Sequence, residues 1–141
     1  MNITTKRWND PVDETDGFRL LICRYRPKYL PVGKEYWDDW WEFLGPSKSL
    51  HADFYGYNRP PISWEEYSIR YLKEMESQKE HIQKLAFRGK SGENITLLCS
   101  SACKDEHRCH RSLLEQEIVT VLEDLGFHVR PNRPYKDLLE E

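Results

Sequence analysis

Ile95–Ile118, ITLLCSSACKDEHRCHRSLLEQEI, decides how the rest of the chain reads. It opens on a short apolar run, Ile95-Thr96-Leu97-Leu98, which predicts a buried strand. The run stops at Cys99-Ser100-Ser101. Ser112-Leu113-Leu114-Glu115 then fits a capping box, which predicts a helix beginning at Ser112. Three of the four cysteines (Cys99, Cys103, Cys109) and two of the five histidines (His107, His110) lie between strand and helix. Open α/β sheets bind ligands outside the carboxyl ends of their strands. The segment puts thiols, imidazoles, hydroxyls and a helix N-terminus at such an end.

Working outward, Phe18–Cys23 (FRLLIC) reads as a second, central buried strand. It ends in Arg24-Tyr25-Arg26-Pro27-Lys28, where Pro27 cannot continue a ladder. Ile3–Trp8 reads as a short edge strand and Asn9–Gly17 as a loop. Lys34–Leu44 predicts a short helix, because Trp37, Trp40, Trp41 and Leu44 fall at i, i+3, i+4, i+7. Ser47 caps a second one carrying Leu50 and Phe54. Gly56–Ile62 is a loop by composition. Ser63 and Glu66 open a helix running to about Phe87, with Trp64, Tyr71, Met75, Ile82 and Leu85 as its buried stripe. The helix from Ser112 places Leu114, Ile118, Val121, Leu122 and Leu125 on one face and closes at Gly126. Phe127–Arg130 predicts a last short strand pairing with a central one, and the remainder is a polar tail. The expected organisation is therefore one α/β domain over 1–130, a small mostly parallel sheet flanked by helices, with a tail over 131–141. Parallel strands end on one edge. Arg24, Arg26 and Lys28 are thus expected beside Cys99, Ser100 and the Cys109–Ser112 turn.

At 141 residues, 38% hydrophobic and 32% charged, the chain suits a single globular domain. Nothing approaches the roughly 18 apolar residues of a membrane span. Met1–Asp16 lacks the apolar stretch of a signal peptide, so the expected location is cytoplasmic. Clustered thiols there are metal ligands, catalytic groups or buried residues rather than disulfides. A net charge of -3 argues against non-specific coating of nucleic acid. Phe18–Lys34 nonetheless carries five basic residues and no acid, which leaves room for a local anion site.

Several blocks resemble a known family. Lys6-Arg7-Trp8, Asp10-Pro11, Asp16–Leu21 and Arg24–Lys28 look like the opening of the YeaO-like branch of the domain-of-unknown-function 488 family. Leu44–Lys48 and Trp64–Tyr67, with Arg70, Tyr71 and Glu74, match its middle. Ile95–Cys99 followed by Cys109–Leu114 matches the broader family's closing signature. The resemblance spans about residues 5–122. Two departures stand out: YeaO-like members usually lack the closing cysteines, and the Gly56–Ile62 loop differs from the usual spacing. The resemblance implies a compact α/β domain and no particular reaction.

The residues support four chemistries. For an anion site, helix N–H groups with Arg24, Arg26 and Arg111 are donors, helped by Ser100 and Ser112. The competing expectation pairs these arginines with Asp105 and Glu106. For a reactive thiol, Cys109 has a helix start, His110 and Arg111 beside it, and Cys99 sits at a strand end. In that reading Cys109 is a nucleophile or redox thiol, His110 its base or orienting partner, and Cys99 either a second reactive thiol or a buried residue. Cys103-x4-Arg108 is one residue shorter than the cysteine-to-arginine loop of thiol phosphatases. For metal, Cys103, His107 and Cys109 are the expected zinc ligands. For nucleic acid, the aromatics mostly sit at core spacing, Tyr25 and Tyr29 excepted. Cys23 and His51 read as structural, His81 and His128 as solvent-facing. The leading expectation is a thiol-dependent enzyme acting on a nucleotide or phosphorylated metabolite. The alternative is a non-catalytic zinc-binding or nucleic-acid-binding module.

Overall fold

In the computed structural model, which describes residues 2–127 and 130–131, the sequence condenses on five parallel strands. They are β1 (Asn2–Arg7), β2 (Phe18–Leu21), β3 (Asp39–Trp40), β4 (Ile95–Cys99) and β5 (Arg130–Pro131), in the order β3-β2-β4-β1-β5. Every residue of β4 is buried, as a strand with neighbours on both sides and packed faces must be. It pairs with β1 from Ile3↔Ile95 to Arg7↔Cys99 and with β2 from Phe18↔Ile95 to Leu21↔Leu98. β1 is therefore interior rather than an edge, because β5 adds to its far side. That pairing also corrects two expectations: the last strand joins β1 rather than β2 or β4, and it comprises Arg130 and Pro131, so Pro131 belongs to the sheet rather than to the tail. His128 and residues 132–141 lie outside the described residues.

Side chains alternate across the sheet. Ile3, Leu20, Ile22, Ile95 and Leu97 join the large core with α1 (Lys48–Tyr55), α2 (Trp64–Met75), α3 (Lys79–Lys90) and α4 (His110–Asp124). Leu21, Cys23 and Leu98 belong to a smaller cluster covered by Trp8, Trp37 and Trp40. Those tryptophans explain why Lys34–Leu44 is not the expected helix. β2 offers a free edge, and Trp41 N–H donates to Leu21 O while Trp40 Nε1 donates to Cys23 O. Strand pairing against a ready edge outcompetes a helical spacing that is only four residues deep.

Two further boundaries shift. The helix from Ser63 stops at Met75, passes through a 3₁₀ turn at Glu76–Gln78 and restarts at Lys79. At the break, Ser77 Oγ donates to Glu74 O, a local bond that competes with the helical ladder. α4 begins at His110, two residues before Ser112. Ser112 Oγ donates to Cys109 O instead of accepting from the helix, so the capping box is absent and Cys109 is the N-cap. On α4 the buried stripe is Leu114, Ile118, Val119 and Leu122, with Leu125 exposed. Gly126, at φ +87, closes the helix with the paired bonds Gly126 N–H to Glu123 O and Phe127 N–H to Leu122 O. Ser47 and Ser63 cap α1 and α2 as expected. No helix among the described residues is long and apolar enough to cross a membrane.

The amino-terminal edge of the sheet is clamped by Asp16, 4% exposed, which pairs with Lys6 at 2.7 Å and with Arg19. Burial alone raises its pKa. The hydrogen bonds from Lys6 and the Asp13 backbone, with the Lys6 and Arg19 charges, outweigh that and hold it below the usual carboxylate range. Its stabilising contribution is thus present above that range and lost as pH falls through the folded value. Asp16→Asn is expected to cost about 3 kcal/mol in urea unfolding near neutral pH, with the gap to wild type closing below about pH 4. An unchanged gap at low pH would contradict the ion pair.

Candidate functional site

β2 and β4 end side by side at the carboxyl edge, and a cavity of about 610 Å³ opens there. Ile22 N–H donates to Leu98 O, so the chain leaves β2 still attached to β4 and delivers Cys23, Arg24, Tyr25 and Arg26 to one wall. Gly45 fixes that wall from outside. A Cβ there would lie 2.5 Å from Arg24 N, so only glycine lets the 44–46 segment pass. Pro46 O then accepts from Arg24 Nε at 2.8 Å. The other wall is the 99–103 turn with Arg108, Cys109 and His110, and α1 lends His51, Phe54 and Tyr55.

The thiols gather at the floor. Cys99 Sγ lies 3.3 Å from Cys103 Sγ and 3.3 Å from Cys109 Sγ. All three sulfurs fall within 4.8 Å of one another and could hold a metal ion. Cys99 and Cys109 are buried and Cys103 only partly so. Cys109 donates to Cys99 and Cys99 to Cys103, which leaves Cys103 at the accepting end of the chain. The Cys109 and Cys99 thiols beside it hold the Cys103 pKa far below the thiol range against the pull of burial, helped by His110 and Arg111. Its partners move the other way: Cys99 is pushed up by its bond to Cys103, Cys109 by burial.

His110 is buried, and burial lowers its pKa. Its Nε2 donates to Ile22 O at 2.8 Å. Cys99 Sγ stands 3.8 Å from Nδ1 and 4.0 Å from Nε2, within hydrogen-bond reach of the ring. The histidine therefore tethers the end of β2 to α4 and touches Cys99, whereas the sequence suggested a base or orienting partner for Cys109.

The structure brings Cys99, Cys103, Cys109, His110, Ser100, Arg24 and Arg26 to one cavity, and leaves Arg111, Ser112 and His107 out of its lining. Arg26 is occupied by Glu35 at 2.8 Å and by Leu30 O at 2.6 Å, so it braces the 30–35 loop. Arg24 has no carboxylate partner among the described residues. Asp105 and Glu106 do not pair with these arginines either. Asp105 caps the Glu106–Arg108 turn, and Glu106 approaches only His107, at 3.9 Å. His107, half exposed, stands apart from the sulfur cluster that was expected to include it. Arg111 is 5% exposed behind the cavity, with Nη2 on Cys103 O at 3.3 Å and with Nε and Nη1 unpartnered.

Several residues were missed from sequence. Arg108 lines the cavity, as do Cys23 and His51, which read as structural. His51 and Tyr55 are one helical turn apart on α1 with ring centroids 4.5 Å apart, and that i, i+4 spacing was the available signal. His81 packs on Phe43 at 4.1 Å between ring centroids, so it is not merely solvent-facing. At the rim Tyr25 is half exposed, and Tyr29 is 99% exposed with φ +65, a strained backbone for an aromatic residue.

Comparison with known proteins agrees with this chain of blocks. Residues 3–121 match the family described as "Active DUF488-N3 subclade". The chain is similar to "Uncharacterized protein YeaO" of Escherichia coli (strain K12), 30% identical over 101 residues, which cover 72% of this chain and 84% of that protein. No solved structure matches.

Iodoacetamide is expected to label Cys103 first among the four cysteines, at pH values well below the free-thiol range of about 8.5. Arg111→Gln should move that pH profile upward, because a neighbouring cation is lost. Peptide mass mapping reads both; labelling of Cys109 ahead of Cys103 would refute the assignment.

Proposed function

The chain belongs to the domain-of-unknown-function 488 family, and on that footing we propose that it is a thiol-dependent enzyme acting on a nucleotide or phosphorylated metabolite. One observation carries the reading. The cavity lining includes Arg24, Arg26, Lys28, Arg108 and three clustered thiols, and no carboxylate. Arg26 is paired with Glu35, but Arg24, Lys28 and Arg108 have no carboxylate partner among the described residues, and such cations facing a shared space favour an anionic occupant. A volume of about 610 Å³ suits a small molecule better than a nucleic-acid strand. The aromatic wall of Tyr25, His51, Tyr55 and Tyr57 suits a ligand with a planar ring.

In this reading Arg24, Lys28 and Arg108 hold the anion, and Arg26 keeps the rim loop in place. Cys103 is the nucleophile in preference to Cys109, because it combines access with the accepting end of the thiol chain. Its lone pair forms the bond to the ligand's electrophilic atom, and the leaving group departs with the pair of the bond that breaks. Arg111, bonded to the Cys103 carbonyl, faces the developing charge from behind.

The mutual distances of Cys99, Cys103 and Cys109 favour a second reading, in which these three sulfurs hold zinc. Three soft thiols fit that ion, and it would supply Lewis-acid chemistry or a structural clamp there. Calorimetry with inorganic phosphate and with AMP, alongside metal analysis, separates the two. Phosphate-bearing compounds are expected to bind, with Arg24→Gln weakening AMP by roughly tenfold or more and Arg59→Gln, outside the lining, leaving it unchanged. No binding at millimolar concentration, with about one zinc per chain lost on Cys103→Ser, would overturn the enzyme reading in favour of the module.

A further inference from the structure

The thiol cluster has a property that neither anion binding nor nucleophilic attack requires. Its one accessible sulfur touches a fully shielded one. Cys103 lines the cavity and is partly exposed, while Cys99, 1% exposed, sits 3.3 Å from it at the end of β4. A two-thiol contact with one open face is what oxidation by a small reagent followed by internal capture needs. The open face is furnished for such a reagent: Tyr55 and Arg108 line the same cavity as Cys103.

We propose that Cys103 is a site of oxidation by hydroperoxides and that Cys99 resolves the product to an internal disulfide. In the first step the Cys103 sulfur attacks the outer peroxide oxygen. The O–O bond breaks, an S–O bond forms, and the displaced oxygen leaves as water or alcohol after taking a proton. Sulfur is oxidised by two electrons and the peroxide is reduced by two. In the second step Cys99 attacks the sulfenic sulfur. The S–S bond forms, the S–O bond breaks, and the hydroxide leaves as water with the Cys99 proton. The disulfide removes the nucleophile assigned above, so peroxide and ligand chemistry exclude each other. The inference shares the Cys103 sulfur with the proposed function, but it is read without any ligand.

The test uses the reduced full chain treated with chelator and then with hydrogen peroxide. Cys99 and Cys103 lie in one tryptic peptide, Ser91–Lys104, and Cys109 in another. The expected result is loss of two hydrogens from Ser91–Lys104 and a fall from four free thiols to two, roughly tenfold faster than for the urea-unfolded chain. Cys99→Ser should instead trap a dimedone adduct on Cys103. Should the buried Cys99→Ser change prevent folding, Cys103→Ser decides, since it should abolish the fast phase. Thiol loss in Cys103→Ser at the wild-type rate, a disulfide joining Cys99 to Cys109, or an intact Ser91–Lys104 peptide would each overturn the proposal. Phosphate titration judges the ligand reading separately, so either can fail alone.

Discussion

The arrangement depends on β4 being hydrogen-bonded along both sides in parallel. That single constraint aligns Arg7 with Cys99 and Leu21 with Leu98, so three chain segments leave the sheet at one level. Parallel pairing forces each return through a crossover: the loop at 8–17 leads from β1 to β2, the 22–38 segment from β2 to β3, α1 to α3 from β3 to β4, and α4 lies between β4 and β5. The carboxyl edge therefore collects the ends of elements far apart in sequence. Trp8 N–H donates to Cys99 O at 2.7 Å, which extends the ladder one step beyond the strand and fixes the first residue of the cysteine turn.

The two edges of the sheet solve opposite electrostatic problems. At the amino edge, a buried carboxylate is shared between two cations, and of their donors Arg19 Nη2 alone is buried without a partner among the described residues. At the carboxyl edge, cations outnumber their partners. Arg24 meets only a carbonyl, and Arg111 keeps two buried N–H donors unpaired, each unmade bond costing about 1–3 kcal/mol. A stable small domain tolerates such a cost where negative charge arrives from elsewhere, here from sulfur or from a ligand.

How much of this was legible in the sequence follows from how local each signal is. β4, β2, the serine caps of α1 and α2 and the clustering of arginines with cysteines were readable, because apolar runs and caps act over a few residues. The Lys34–Leu44 segment was not. Its tryptophan spacing describes a helix, and the edge of β2 that captures it is invisible in one dimension. The start of α4 misled for a related reason: a hydroxyl that suits a cap bonded backward to Cys109 instead. Side-chain direction was the least readable property. Arg111 and His107 stand beside cavity residues in sequence yet turn away, while Arg108, His51 and Tyr55 turn in. The resemblance to the family identified the blocks and their order, but no spacing could say which sulfur is open.

Gly45 shows how far such a scaffold can be governed by volume alone. The hydrogen in place of its side chain is what allows one backbone segment to lie across another and grip Arg24. Any methyl-bearing residue would wedge the two apart and leave the guanidinium untethered. A change with no charge, no polarity and no reach into the cavity would then redistribute positive potential inside it. In this molecule a steric lesion at the periphery and an electrical lesion at the centre are the same event.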